Sequence, residues 1–184
     1  MIFHRLPLQG AFLIQVMPRI DERGSFSRIF CEQKFEEYGL CTAWRQANAS
    51  FSAYSGTLRG MHFQTPPFSE VKLVRCSKGR VYDVVVDLRT TSTTFGRYYG
   101  HELTPDNNFL MYVPHGFAHG YQTLEDKSEV SYLVSQPYSP KHEGVLLFKD
   151  IDVSIPWPLS VTSVSPKDSA GKSLTDIFNS RYFL

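Results

Sequence analysis

Residues 57–67 read TLRGMHFQTPP and set an imidazole, His62, between a fixed cation, Arg59, and an amide, Gln64. An imidazole titrates near neutral pH, so it can take a proton from carbon or ligate a metal. Further along, Lys72 stands in VKLVRC, Tyr132 in EVSYLVS, and His115 and His119 in PHGFAHG. Proton transfer on a small ligand needs a base near pH 7, an acid on the opposite side and a positive charge beside a developing oxyanion. His62, Tyr132 and Lys72 are the right types, but their spacing alone does not show that they meet.

Two other readings compete. A β-barrel metal site commonly pairs histidines one residue apart on a strand, whereas Met61 and Phe63 flank His62. His115 and His119 stand four apart without the helix that turns such spacing into a zinc face. No metal is therefore expected, with a distant pairing of His62 and His119 left open. The plainer alternative is that a strand histidine is a hydrogen-bonded packing residue and a strand tyrosine a tethered core ring. Lys72 resists that reading. Alternation in VKLVRC sets Lys72 with Val74 and Cys76 and sets Arg75 with Val71 and Leu73. One of the two cations must point inward, which is unfavourable unless it is paired or used. Period-two geometry also sends Arg59 and His62 to opposite faces, unless a bulge at Gly60 re-aims one of them.

The elements that must hold these residues are mostly strands. Short runs rich in Val, Tyr, Phe and Leu are broken by Gly, Pro, Asn and Asp, the pattern of an antiparallel sandwich or barrel. Strands are predicted at 71–76, 80–88, 109–113 and 129–135, with SKG at 77–79 a hairpin turn between the first two. In 80–88, Tyr82, Val84, Val86 and Leu88 share one face and Asp83 and Asp87 the other. Helices are expected at 32–40, stopped by Gly39, and at 173–178, where Ser173 and Asp176 form a capping pattern.

Composition bounds the partners. With 184 residues, 42% hydrophobic and 20% charged, the chain fits one globular domain. Nineteen Lys and Arg against eighteen Asp and Glu, with no basic run, disfavour a nucleic-acid surface. No stretch approaches the roughly 20 apolar residues of a membrane span. Cys31, Cys41 and Cys76 form no CxxC, which suits a reducing cytoplasm.

Taken in order, DERGSFSRIF, RQANASFS, GTLRGMHFQTPP, KLVRCSKGRVYDVVVDLR, TFG, VPHGFAHGY, EVSYLVSQPYSP, IPWP and SPKD resemble the dTDP-4-dehydrorhamnose 3,5-epimerase family of sugar-nucleotide epimerases. The resemblance covers nearly the whole chain. It implies a mainly β, cupin-type double-stranded β-helix (a jelly roll) with short peripheral helices. The single domain would span 1–184, its core about 10–160, with 161–184 packing back on it.

The resemblance also implies roles. His62 matches the base next to the 4-keto group, Asp168 the carboxylate that orients it, Tyr132 the residue on the opposite face of the sugar, and Lys72 the cation beside the enolate oxygen. Arg59, with Arg23 from a neighbouring subunit, would hold the diphosphate. Gln46, Asn48, Phe26, Tyr138, Glu143 and Lys167 fall at or near substrate-contacting positions, and His119 lines the pocket. Arg28 replaces the glutamate of the family's RGxFxExF segment at a base-reading position, and Glu70 replaces a commoner glutamine. The implied reaction converts dTDP-4-dehydro-6-deoxy-D-glucose to dTDP-4-dehydro-L-rhamnose by inversion at carbons 3 and 5. The alternatives are inversion at one carbon of a related nucleoside-diphosphate sugar, and a non-catalytic sugar-nucleotide-binding cupin. A cytoplasmic homodimer with exchanged strands, using no cofactor, is expected.

Overall fold

Strand alternation places apolar residues on both faces of most strands here, so the sheets must be covered on both sides. The computed structural model, which describes residues 1–180, shows how. A six-stranded sheet runs in the order β1 (Ile2–Arg5), β2 (Phe12–Gln15), β10 (Phe109–Val113), β7 (Lys72–Lys78), β12 (Ser128–Val134), β5 (Gln46–Ser52). A five-stranded sheet runs β13 (Glu143–Val145), β6 (Leu58–Gln64), β11 (Phe117–Thr123), β8 (Val81–Asp87), β9 (Tyr98–Leu103). Neighbouring strands are antiparallel throughout. The two sheets face each other in a cupin-type jelly roll. A separate hairpin, β3 (Arg19–Asp21) and β4 (Gly24–Phe26), forms a two-stranded sheet of its own among the described residues.

Three apolar layers follow. Between the sheets, Leu13, Val74, Cys76, Val81, Val85, Met111, Phe117, Tyr121 and Val130 form the inner core. Outside the five-stranded sheet, Met61, Phe63, Val84, Val86, Leu88 and Ala118 are covered by Leu146, Val153, Leu174 and Ile177. Outside the six-stranded sheet, Phe12, Ile14, Leu73, Leu110 and Tyr112 are covered by Phe35 of helix α1 (Glu32–Glu36). Within 161–180, Leu174 and Ile177 belong to this outer layer; 181–184 lie outside the described residues. No helix among the described residues is long and apolar enough to cross a membrane.

Several local expectations hold. The two faces of 80–88 separate as read, but both are buried: Val84 and Val86 face the outer layer, while Asp83 and Asp87 lie with Val81 and Val85 on the inner one. Asp87 is satisfied by Arg89, Ser92 and Thr94. Gly39 ends α1 at φ +67, where Leu40 N–H donates to Phe35 O and Gly39 N–H to Glu36 O, both at 2.9 Å. That is the paired pattern of a glycine-terminated helix. Ser173 caps α3 (Leu174–Asn179) by accepting from Asp176 N.

One expectation is corrected. Residues 77–79 do not make a hairpin, because β7 pairs with β10 and β12 while β8 pairs with β9 and β11. The turn carries the chain from one sheet to the other. Both strands present an apolar face to the same interior, and they do so from opposite sides of it. A four-residue helix α2 (Pro166–Ser169) was not foreseen, though Ser165 followed by Pro166 and Asp168 is a helix-start signature.

Candidate active site

The bulge predicted at Gly60 is present and sets the geometry of the site. In the pairing of β6 with β11, His62 stands opposite His119 and Arg59 opposite Tyr121. Three steps along β6 are thus matched by two along β11, so Arg59 and His62 turn to the same inner face. Gly60 sits at φ +122, against Gly120 on the neighbouring strand. A Cβ at Gly60 would lie 2.6 Å from Gly120 Cα and 2.8 Å from His119 O. Only glycine at both positions lets the strands approach this closely. The Gly60–Met61 peptide bond is cis.

The inner face opens into a cavity with two lobes. The first, about 480 Å³, is lined by Arg59, His62, Lys72, His119, Tyr121, Tyr132, Lys167 and Asp168, among others. The second, about 440 Å³, is lined by Gln46, Asn48, Gln64, Glu70, Tyr138 and Glu143 together with His62, Lys72, Tyr132 and Lys167. His62, Lys72, Tyr132 and Lys167 line both lobes and mark their junction. His62 comes from the five-stranded sheet, Lys72 and Tyr132 from the six-stranded one. A ligand at the junction therefore has the imidazole on one side and the ammonium and phenol on the other.

Asp168 reaches His62 from α2. Its Oδ1 lies 2.7 Å from His62 Nε2, and its Oδ2 accepts Gly60 N–H at 3.1 Å. The carboxylate is only 3% exposed. Burial pushes its pKa up, but the His62 bond and charge, Gly60 N–H and Ser165 outweigh this and hold it below 3.8. An ionised carboxylate only accepts, so Nε2 carries a proton toward it and Nδ1 is the ring atom left to act on a ligand. Nδ1 makes no hydrogen bond to a described residue.

The opposite wall supplies charge and a proton donor. Lys72 is buried and pairs with Glu70 at 3.0 Å. The Tyr132 hydroxyl has no hydrogen-bond partner among the described residues. Burial first, then the Glu70 charge, raise its pKa above 10.0, against a smaller opposing pull from Arg59. At neutral pH it is a phenol that can donate.

A second imidazole–carboxylate pair lies beside the first: His119 Nε2 is 2.8 Å from Asp83 Oδ2, and both residues are buried. His115 instead stays outside, with Nδ1 3.0 Å from Ser69 O. Arg59 is held by Ser52 Oγ and Phe51 O. At the mouth of the second lobe, Glu143 accepts from Tyr138 OH at 2.9 Å and from Lys167 Nζ at 2.8 Å. Tyr138 N–H donates to Gln46 Oε1 at 2.8 Å.

The cavity thus gathers Gln46, Asn48, Arg59, His62, Lys72, His119, Tyr132, Tyr138, Glu143, Lys167 and Asp168 from across the chain. Arg23, Phe26 and Arg28 line neither lobe. Arg23 pairs with Asp21 on the exposed β3–β4 hairpin, and Phe26 and Arg28 border a different hollow with Met1 and Met17. Gln64, the amide beside His62 in TLRGMHFQTPP, lines the second lobe, and so does Glu70, to which the sequence reading gave no site role. Period two in SEVKL places Glu70 on the face of Lys72, a signal that could have found it. Among the described residues, no three His, Cys, Asp or Glu side chains are grouped to hold a metal ion.

Comparison with known proteins adds three kinds of likeness. A family model described as dTDP-4-dehydrorhamnose 3,5-epimerase matches residues 5–176. The chain is 41% identical over 178 residues to the dTDP-4-dehydrorhamnose 3,5-epimerase of Sinorhizobium fredii, covering 96% of this chain and 91% of that one. The crystal structure of the enzyme of that name from Elizabethkingia anophelis superposes with a TM-score of 0.91 at 40% identity, covering 95% and 97% of the two chains. A Legionella pneumophila dTDP-6-deoxy-D-glucose-3,5-epimerase, solved in complex with dTDP-4-keto-L-rhamnose, superposes with a TM-score of 0.89 at 34% identity, covering 95% and 93%.

Proposed function

The chain belongs to the dTDP-4-dehydrorhamnose 3,5-epimerase family, and from the site its fold assembles we infer how it works as an isomerase. It converts dTDP-4-dehydro-6-deoxy-D-glucose to dTDP-4-dehydro-L-rhamnose. The observation that carries the mechanism is the His62–Asp168 pair facing Lys72 and Tyr132 across one cavity.

A hydrogen next to a ketone leaves as a proton only when the enolate is stabilised. His62 Nδ1 takes that proton, and the ionised Asp168 favours the imidazolium so formed. A positioned base of this kind typically contributes about 10²–10⁴-fold. The Lys72 ammonium faces the enolate oxygen; one such contact is worth about 3–4 kcal/mol. Tyr132, neutral and on the other sheet, returns a proton from the opposite face, and the carbon is inverted. Binding a sugar nucleotide needs neither a base nor an acid, so this pairing of groups argues against a non-catalytic cupin.

The remaining polar groups suit the nucleotide. Arg59 and Lys167 offer cations to the diphosphate, His119 walls the sugar lobe, and Gln46, Asn48, Tyr138 and Glu143 frame the second lobe for the base. The hairpin β3–β4 exposes Ile20 and Phe26 and pairs with no other strand among the described residues. In our reading it reaches across a homodimer, bringing Arg23, Phe26 and Arg28 to the partner's second lobe. The three free thiols, Cys31, Cys41 and Cys76, support a reducing, cytoplasmic location.

The test is incubation with dTDP-4-keto-6-deoxyglucose in D₂O, with deuterium located by NMR. Label at carbons 3 and 5 is expected. Label at carbon 3 alone would make the chain a single-centre epimerase, and no label from any 4-keto sugar nucleotide would sink the mechanism.

A further inference from the structure

The cation of this site is not free-standing. Lys72 Nζ lies 3.0 Å from Glu70 Oε1, and the two side chains are only 9% and 12% exposed. The other carboxylate oxygen, Oε2, accepts from Gln64 Nε2 at 3.3 Å. The two hydrogens of that Nε2 are shared among Glu70 Oε2, Phe68 O at 3.0 Å and Pro137 O at 3.2 Å, while Gln64 Oε1 accepts Ser139 N–H at 2.6 Å. One end of this chain of bonds is anchored on the backbone either side of Tyr138, and the other end on the ammonium.

A lysine is a point charge on a flexible four-carbon stem with three rotatable donors. Glu70 is its ion-pair partner at 3.0 Å, and the ammonium hydrogens make no hydrogen bond to a described residue, which leaves them to a ligand oxygen. We propose that Glu70 is a positioning residue for the epimerisation, holding the Lys72 ammonium at the junction of the two lobes through an ion pair that Gln64 braces. This rests on the enolate mechanism above. Glu70 does not touch the reacting carbon. It acts by restricting where the cation can be when charge develops, so removing it should lower turnover and leave affinity nearly intact.

Position and charge separate in three variants. Glu70→Gln keeps an acceptor oxygen for Lys72 and loses the charge; Glu70→Asp keeps the charge and withdraws the oxygens; Glu70→Ala loses both. Each is measured as kcat, KM and rate of deuterium incorporation, alone and combined with Lys72→Ala. The expected result is a fall in kcat of about tenfold for Glu70→Ala and Glu70→Asp, with KM within about twofold, and of no more than about threefold for Glu70→Gln. In the Lys72→Ala background the loss from Glu70→Ala should shrink to less than about twofold, because the residue has nothing left to position. A loss of equal size in both backgrounds, a loss confined to KM, or full activity in Glu70→Asp would overturn the proposal. Glu70→Asp keeps it testable if Glu70→Ala does not fold. Failure of the wild type to incorporate deuterium would instead strike the enolate mechanism itself.

Discussion

Replacing Asp168 by asparagine should disable the base by moving one proton. Asp168 Oδ2 accepts Gly60 N–H at 3.1 Å, and that donor is buried on the bulge. An asparagine must therefore keep its carbonyl oxygen on Gly60, which turns its NH₂ toward His62 Nε2. Nε2 then has to accept, the ring proton moves to Nδ1, and the nitrogen that should take a proton from carbon already carries one. Forcing the wrong tautomer in this way reduced kcat by about 10⁴ in a hydrolytic triad, and a similar 10³–10⁴, or roughly 4–5.5 kcal/mol of barrier, is expected here. Asp168→Ala removes the carboxylate but imposes no tautomer, so it should retain more activity than Asp168→Asn even though it leaves Gly60 N–H unpaired. The assay is deuterium incorporation into dTDP-4-keto-6-deoxyglucose, with dTDP affinity measured alongside as a check on folding. Asp168→Asn exceeding Asp168→Ala in activity, or losing less than tenfold, would refute the tautomer argument.

Other outcomes follow from the same geometry. Tyr132→Phe should slow net inversion more than the first exchange of label, since it removes the returning acid and leaves His62 in place; equal losses would argue against that role. Gly60→Ala, at φ +122 and against the Gly120 backbone, should destabilise the fold by about 2–4 kcal/mol and lower Tm by about 5–15 °C, read by thermal denaturation. Asp168 has a folded-state pKa depressed below 3.8, so the unfolded chain binds its proton first. Its contribution to stability is present above pH 3.8 and is lost as pH falls through the depressed folded value; urea titrations in that range should show a shallower acid slope for Asp168→Asn than for the wild type.

Local pattern made much of this molecule legible. Alternation in VKLVRC singled out an inward cation, and Lys72 is buried in the cavity. A bulge at Gly60 was the one way to bring Arg59 and His62 to a common face, and the register shift on β6 supplies it. What stayed hidden depends on groups distant in the chain. A glycine after SK suits a hairpin and a sheet-to-sheet crossing equally, and only the burial of both flanking strands on one core decides between them. Glu70 shares the face of Lys72 by alternation, but its part in the site shows only once Gln64 and Lys72 close on it. Asp83 reads as an outward acid on a strand and becomes the partner of His119 once the inner face is seen to be polar at one end. The resemblance to a family supplied Asp168, which no spacing rule connects to a residue more than a hundred positions earlier.

His62 and Tyr132 stand on different sheets, and the space between those sheets is filled by Val74, Val85, Met111, Phe117 and Val130. The thickness of that filling sets how far apart the two proton-handling groups are held. A single methylene added or removed there can tilt one sheet against the other without touching a polar side chain.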